Sequence, residues 1–220
     1  MKAFVAGATG QTGRRIVEEL VKRRIPVRAL ARDLEKGQAI LPPQAEIVVG
    51  DVLDPESLKE AIADSTVLLC ATGASPSLDF TVFYRVDYEG TKNLINVAKE
   101  KKIEHFVLVT SLCVSRFFHP LNLFGLVLFW KKQAENYLCS SGLNYTIVRP
   151  GGLRNEDTPD GLVISGADTL FEGNIPRAKV AQVCVEALFY PQTDRKIIEI
   201  ITKPDVAKKD WNELFANKNI

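Results

Sequence analysis

Gly7, Gly10 and Gly13 are the first residues whose types and spacing carry a chemistry, and that chemistry is the binding of phosphate. They stand in Gly7-Ala8-Thr9-Gly10-Gln11-Thr12-Gly13, directly after the apolar run Ala3-Phe4-Val5-Ala6 and at the opening of a helical pattern. Each glycine has its own task in such a loop. Gly7 permits a tight turn, Gly10 lets the backbone approach a pyrophosphate, and Gly13 lets helix and strand lie close together. Free N–H groups at the helix start, with its dipole, then face the phosphates. A glycine triplet alone is weak evidence, but between a first strand and a first helix it predicts a dinucleotide site.

The end of the second strand selects the dinucleotide. A carboxylate there accepts from a ribose 2′-OH and favours NAD. Here the strand closes Ala29-Leu30-Ala31-Arg32-Asp33. Arg32 stands where a guanidinium can pair with a 2′-phosphate and lie over the adenine, so NADP(H) is expected over NAD(H); the alternative is a solvated surface charge. Asp33 is expected to cap the following helix. Further along, Asp51 in Gly50-Asp51-Val52 can accept from the adenine amino group. Ala71-Thr72-Gly73-Ala74 supplies small residues that admit the ribose and nicotinamide side.

Positioning these residues requires alternating strands and helices, and the chain has that pattern. Strands are expected at 2–6, 26–31, 45–49, 65–71, 105–110 and 144–148. Between them fall helices at 11–23, 34–40, from Pro55, 84–102 and about 125–141. The remainder supplies strands near 162–165 and 195–201 and helices at 176–189 and 207–217. Asp54 before Pro55 is a cap followed by proline at the first helical position. Such alternation implies an α/β, doubly wound, mostly parallel sheet flanked by helices, a single-domain Rossmann fold. Residues 1–150 are read as the cofactor-binding core and 151–220 as a smaller substrate-side region. The stretch 150–161 (PGGLRNEDTPDG) is a long loop of the kind that carries function.

A formal charge of +1 across 220 residues, with no run of one sign, points away from nucleic acid or an acidic membrane as partner. Cys70, Cys113, Cys139 and Cys184 form no C-x-x-C pair and read as reduced thiols, mostly buried. The strand pattern starts at once, without a signal-peptide layout, so a cytoplasmic protein is expected, or one of the plastid stroma in a plant or alga. Leu121 to Trp130 is almost wholly apolar, yet its ten residues are half of the ~20 that span a bilayer, so no transmembrane segment is expected.

Four segments together carry a family resemblance: the glycine loop, Gly50-Asp51-Val52, Asp87-Tyr88-Glu89-Gly90-Thr91-Lys92-Asn93, and Tyr145-Thr146-Ile147-Val148-Arg149-Pro150-Gly151-Gly152-Leu153. Over about residues 1–200 the chain resembles the atypical short-chain dehydrogenase/reductases of NmrA-like type, a branch that includes the small biliverdin-IXβ/flavin reductases. The resemblance implies that Gly7, Thr9, Gly10, Gln11, Thr12 and Gly13 hold the pyrophosphate and Arg32 the 2′-phosphate, with Asp51 and Val52 flanking the adenine. It implies that Ser111, after Thr110, is the active-site serine and that Pro150, Gly151 and Gly152 line the nicotinamide. Lys131 matches the lysine of the Tyr-x-x-x-Lys pair, which binds the nicotinamide ribose. The tyrosine is missing: four residues before Lys131 stands Val127, and if Lys132 is the family lysine, Leu128 takes its place.

Valine cannot exchange the proton that accompanies hydride transfer to a ketone. What survives is reduction of an acceptor whose anion is delocalised, such as a flavin, a bilin or a quinone, with the proton coming later from water. Phe117, Phe118, Phe124, Phe129 and Trp130 can stack on such a flat ligand or fill the core under a loop. Ser111 can hydrogen-bond an acceptor carbonyl, His119 is a lesser proton source, and Cys113 a lesser redox group. His105 is expected at the surface. Arg116, Arg149, Arg154 and Arg177 can steer an acidic acceptor or make surface salt bridges. The competing expectation is a non-catalytic NADP(H)-binding redox sensor or assembly factor, with residues 117–130 as a protein-partner surface.

Overall fold

In the computed structural model, residues 1–74, 79–123 and 125–216 are described. The elements run β1 (Ala3–Ala6), α1 (Gln11–Lys22), β2 (Val27–Ala31), α2 (Leu34–Ile40), β3 (Glu46–Val49), α3 (Pro55–Ile62) and β4 (Val67–Cys70). Next come α4 (Thr81–Phe83), a π-helical segment (Tyr84–Gly90) and α5 (Thr91–Glu100), followed by β5 (His105–Val109) and, after a 3₁₀ turn (Pro120–Leu123), α6 (Val127–Ser140). The remainder is β6 (Tyr145–Pro150), β7 (Gly152–Arg154), β8 (Gly161–Gly166), β9 (Asn174–Pro176), α7 (Arg177–Glu186), β10 (Lys196–Lys203) and α8 (Trp211–Phe215).

The strands form one sheet in the order β3-β2-β1-β4-β5-β6-β10-β9-β7, with β8 also paired to β10. From β3 to β6, and on to β10, all neighbours are parallel; β8 and β9 run antiparallel to β10. This is the doubly wound Rossmann arrangement, its strand order reversing about β1. Both faces of the sheet are covered, which is why β1 is apolar at every position. Ala3 and Val5 pack with Ile16, Val17 and Leu20 of α1 and with Val180 and Val183 of α7. Phe4 and Ala6 point the other way, to Leu58, Ile62, Leu94, Ile95 and Leu138 of α3, α5 and α6. Among the described residues, no helix is long and apolar enough to cross a membrane.

Several expectations need correction. The helix expected at 84–102 starts at Thr81, passes through the π-helical segment and ends at Glu100. The loop at 150–161 carries β7, whose three exposed residues pair with β9, a contact too short to leave a period. The final helix is confined to 211–215, and residue 217 lies outside the described residues. His105 is buried, its Nε2 2.9 Å from the Thr146 hydroxyl. The helix start near 125 shifts to Val127, because Gly125 and Leu126 take positive φ of 77° and 58°. Asn122 then accepts the N–H groups of Leu128 and Phe129, so a side chain five residues upstream starts α6.

Candidate functional site

The carboxyl ends of β1 to β4 open onto a cavity of about 460 Å³. Gly7, Thr9, Gly10, Arg32, Asp51, Val52, Ala71, Thr72 and Gly73 all line it, with Leu30, Leu53, Val82 and Val86 as its apolar wall. Gln11, Thr12 and Gly13 open α1 directly beyond the glycine loop. Gly7 holds φ at +75°, and a side chain there would press on the Ala71 carbonyl at 2.6 Å. A Cβ at Gly13 would fall on the Gly7 carbonyl. Gly10 differs: a Cβ there meets only the Gly7 oxygen, at 3.2 Å, and otherwise open space. Gly10 caps α1 without a side-chain hydrogen bond, and the first turn holds no acid, so nothing in the chain competes with an anion there.

At the adenine side, Arg32 is exposed and makes no ion pair among the described residues. Asp33 caps α2 by accepting the Lys36 N–H at 3.1 Å. The Asp51 carboxylate accepts the Leu53 N–H at 2.9 Å, while its own N–H donates to Ser57 Oγ at 3.1 Å. These bonds fix the strand-to-helix turn that forms the cavity floor.

The other end is built around Lys131. Its ammonium donates to Asp87 Oδ1 at 2.7 Å, and the second carboxylate oxygen, Oδ2, is buried without a partner. A Cβ on Gly73 would stand 3.8 Å from Lys131 Nζ and 3.9 Å from Asp87 Oδ1, so the bare glycine leaves room over the ion pair. Lys132 turns elsewhere, to Glu135 at 3.4 Å. Lys131 is therefore the lysine beside Gly73, which lines the groove, and Val127 stands one turn before it on α6. Ser111 follows β5, and the next residue, Leu112, donates its N–H to Pro150 at the end of β6, so Ser111 and the Pro150-Gly151-Gly152 turn share one edge of the sheet.

The motif around Asp87 gains a physical account that residue types alone did not reveal. Gly90 leaves space for Val52, whose Cγ2 a Cβ would meet at 2.6 Å, and Asn93 Nδ2 donates to the Val52 carbonyl at 3.0 Å. One continuous helical stretch thus holds Val52 at the groove and, through Asp87, Lys131 beside Gly73. The π-helical segment between them is a feature common at functional sites. Its signal in the sequence is one buried acid in an otherwise amphipathic helix.

Other candidates take structural places. Arg149 is fully buried and does not steer a ligand. It makes a two-pronged pair with Glu135 at 2.9 and 2.7 Å and reaches Asp168 at 2.9 Å and Glu199 at 3.2 Å. Thr110 donates to the same Glu135 at 2.7 Å, which ties the residue before Ser111 to this cluster. His119 Nδ1 accepts the Leu121 N–H, and Arg116 lies 3.7 Å over the Phe171 ring. Burial pushes the Cys113 thiol pKa up, which disfavours a thiolate. Trp130 packs against Phe129 and Tyr84, each at 4.9 Å between centroids. Phe118 is 96% exposed and Leu123 82%, while Phe124 lies outside the described residues.

A glycine loop opening onto a groove at the carboxyl edge of a doubly wound sheet defines a dinucleotide-binding protein, and the chain belongs to the NAD(P)H-binding family, which it matches over residues 7–191. It is 44% identical to an uncharacterized chloroplastic protein of Arabidopsis thaliana over 98% of this chain and 82% of that one. It is 32% identical to sanguinarine reductase of Eschscholzia californica over 98% and 95% of the two chains. It is also 37% identical to the chloroplastic protein TIC 62 of Pisum sativum, over 91% of this chain but 42% of that protein. Among solved structures, a putative NAD-dependent epimerase/dehydratase of Bacillus halodurans superposes with a TM-score of 0.84 at 27% identity, over 92% and 94% of the chains. The likeness to the NmrA-like, atypical short-chain reductases is thereby borne out.

Proposed function

We propose that the protein is an NADPH-dependent reductase that passes hydride to a flat conjugated acceptor, a flavin, a bilin or a quinone, without a catalytic tyrosine. The observation that carries this reading is Val127 one turn before Lys131, the lysine that Asp87 holds beside Gly73. Hydride from a bound nicotinamide needs an acceptor held close and shielded from water. In this reading Gly7, Thr9, Gly10, Gln11, Thr12 and Gly13 hold the pyrophosphate, Arg32 the 2′-phosphate, and Asp51 and Val52 the adenine. Ala71, Thr72 and Gly73, with Lys131, receive the nicotinamide ribose, and Pro150, Gly151 and Gly152 line the ring. Ser111 donates to an acceptor carbonyl. A ketone would develop a localised alkoxide with no tyrosine at the family's position on α6 to protonate it, so alcohol dehydrogenation and sugar epimerisation are disfavoured. The sanguinarine reductase relative supports a reductase. The chloroplastic relatives support a place in the plastid stroma if the chain comes from a plant or alga.

The test is oxidation of NADPH by the purified protein with FMN, riboflavin, biliverdin and soluble quinones, against simple ketones and secondary alcohols. Turnover with a conjugated acceptor and none with ketones or alcohols is expected. Robust oxidation of a secondary alcohol would overturn the reading. A second reading, a redox sensor or assembly factor, is favoured by the exposed Phe118 and Leu123, which suit a partner surface better than a substrate floor. Tight NADPH binding with no turnover of any conjugated acceptor would select it.

A further inference from the structure

We infer that Arg15 and Arg177 form a receptor for an acidic group, a carboxylate or a phosphate, on the acceptor. The inference rests on the reductase reading and adds to it the charge of the acceptor. Arg15 lies one turn into α1, and Arg177 is the first residue of α7, which packs alongside α1. Both residues are half-buried, and neither makes an ion pair among the described residues. Among the described residues, their hydrogen bonds go to neutral groups. Arg15 donates to the Gln11 carbonyl at 2.6 Å and to Gln11 Oε1 at 3.2 Å. Arg177 donates to the Leu153 carbonyl at 3.3 Å and Asn155 Oδ1 at 3.0 Å, and its Nε is buried without a partner.

Burial, followed by the neighbouring charge of Arg15, draws the Arg177 pKa below the ordinary guanidinium value, and no carboxylate opposes this. Two like charges brought together with a buried donor left over are costly unless an anion joins them. Neither arginine lines the dinucleotide groove, but Arg15 bonds to Gln11 beside it, so the pyrophosphate is the competing anion and the test separates the two. The pair stands between Gln11 and Leu153, on the side of the turn after β6. A second ligand lying against that turn would bring its acid to them.

The test compares probes that share a chromophore and differ in the acid: FMN with riboflavin, and biliverdin with its dimethyl ester. Binding to the NADP-loaded protein is followed by fluorescence quenching or absorbance. The acid-bearing member of at least one pair should bind about ten-fold tighter, and the pair that discriminates tells phosphate from carboxylate. Arg177→Met, and separately Arg15→Met, should bring that ratio toward one while NADPH affinity stays within about two-fold. Equal binding within both pairs, binding of no probe, or a ratio unchanged in both variants would overturn the proposal. Arg177→Met that weakens NADPH and leaves the ratio alone would overturn it too, assigning the arginines to the pyrophosphate. Selective binding without hydride transfer would sink the reductase reading and leave the receptor standing.

Discussion

Lys131 and Asp87 meet at 2.7 Å, and the shielding is one-sided: the lysine side chain is 16% exposed and the carboxylate 1%. Asp87 is therefore a buried acid whose one ion-pair partner among the described residues is the partly exposed Lys131. Lys131→Met should strand that charge and destabilise the fold by about 3 kcal/mol, the lower end of what breaking a buried pair costs. Adding Asp87→Asn should recover a large part of the loss. Denaturant unfolding of the two variants, with wild type and Asp87→Asn, closes the cycle. A neutral Lys131→Met would mean that the pair contributes nothing to stability.

NADPH should bind at least about ten-fold tighter than NADH, because Arg32 is free to form a charge-assisted pair of about 1.5–3 kcal/mol with a 2′-phosphate. Arg32→Ala should erase the preference while leaving NADH affinity near its original value. Calorimetric titration of both nucleotides decides it, and equal affinities in the wild type would refute it.

The three glycines should fail in different ways. Gly10→Val should keep the fold and abolish nucleotide binding, since its added bulk projects into otherwise open space at the groove. Gly13→Val should damage the fold itself, because the Gly7 carbonyl already occupies the Cβ position. Circular dichroism alongside nucleotide titration separates the two outcomes. Native NADPH affinity in folded Gly10→Val would exclude the loop as the phosphate site.

Ser111→Ala should slow turnover of a conjugated acceptor by an amount equivalent to about 2–4 kcal/mol, as expected for loss of one donor to developing charge. Steady-state kinetics should place the loss in kcat. An unchanged kcat would leave Ser111 as a strand-end residue.

His105 should make the fold sensitive to mild acid. Burial, opposed by the nearby Asp194, holds the imidazole pKa below its ordinary value. Thr146 gives its hydroxyl proton to the Thr193 carbonyl, so the neutral ring donates from Nε2. The unfolded chain takes up a proton near pH 6.5 and the folded chain only at lower pH. The stabilisation is thus complete above about pH 6.5 and is lost as the pH falls toward the folded value. Melting temperatures from pH 8 to pH 5 should fall less steeply for His105→Gln than for wild type. Parallel curves would remove His105 as the cause.

The glycine turn and the helix starts beside it are legible in the sequence because their determinants are local. Gly7, Gly10 and Gly13 act within one strand-turn-helix, and Asp33 caps a helix that begins at the next residue. Arg149 was misread because its partners are not local: Glu135, Asp168 and Glu199 lie 14, 19 and 50 positions away and converge only in the fold. An arginine in an apolar strand looks like a ligand contact until those acids are known to surround it. The same holds for His105, whose burial depends on Thr146 and Thr193 rather than on its own strand. The π-helical segment left no period to find, because one helical phase is interrupted at Tyr84–Gly90 and another begins.

The place of β10 in the sheet sets an order on synthesis. This strand, Lys196–Lys203, lies between β6 and the pair β8 and β9, and its Glu199 accepts the N–H groups of residues 168, 169 and 170. A chain emerging from the ribosome can assemble its glycine loop and the first six strands before residues 151–203, through the end of β10, are made. Until β10 arrives, Arg149 lacks one of its acids and the Gly151 N–H lacks the Ile200 carbonyl that accepts it. A nascent or prematurely ended chain would therefore hold nucleotide before it could present a finished surface to anything else.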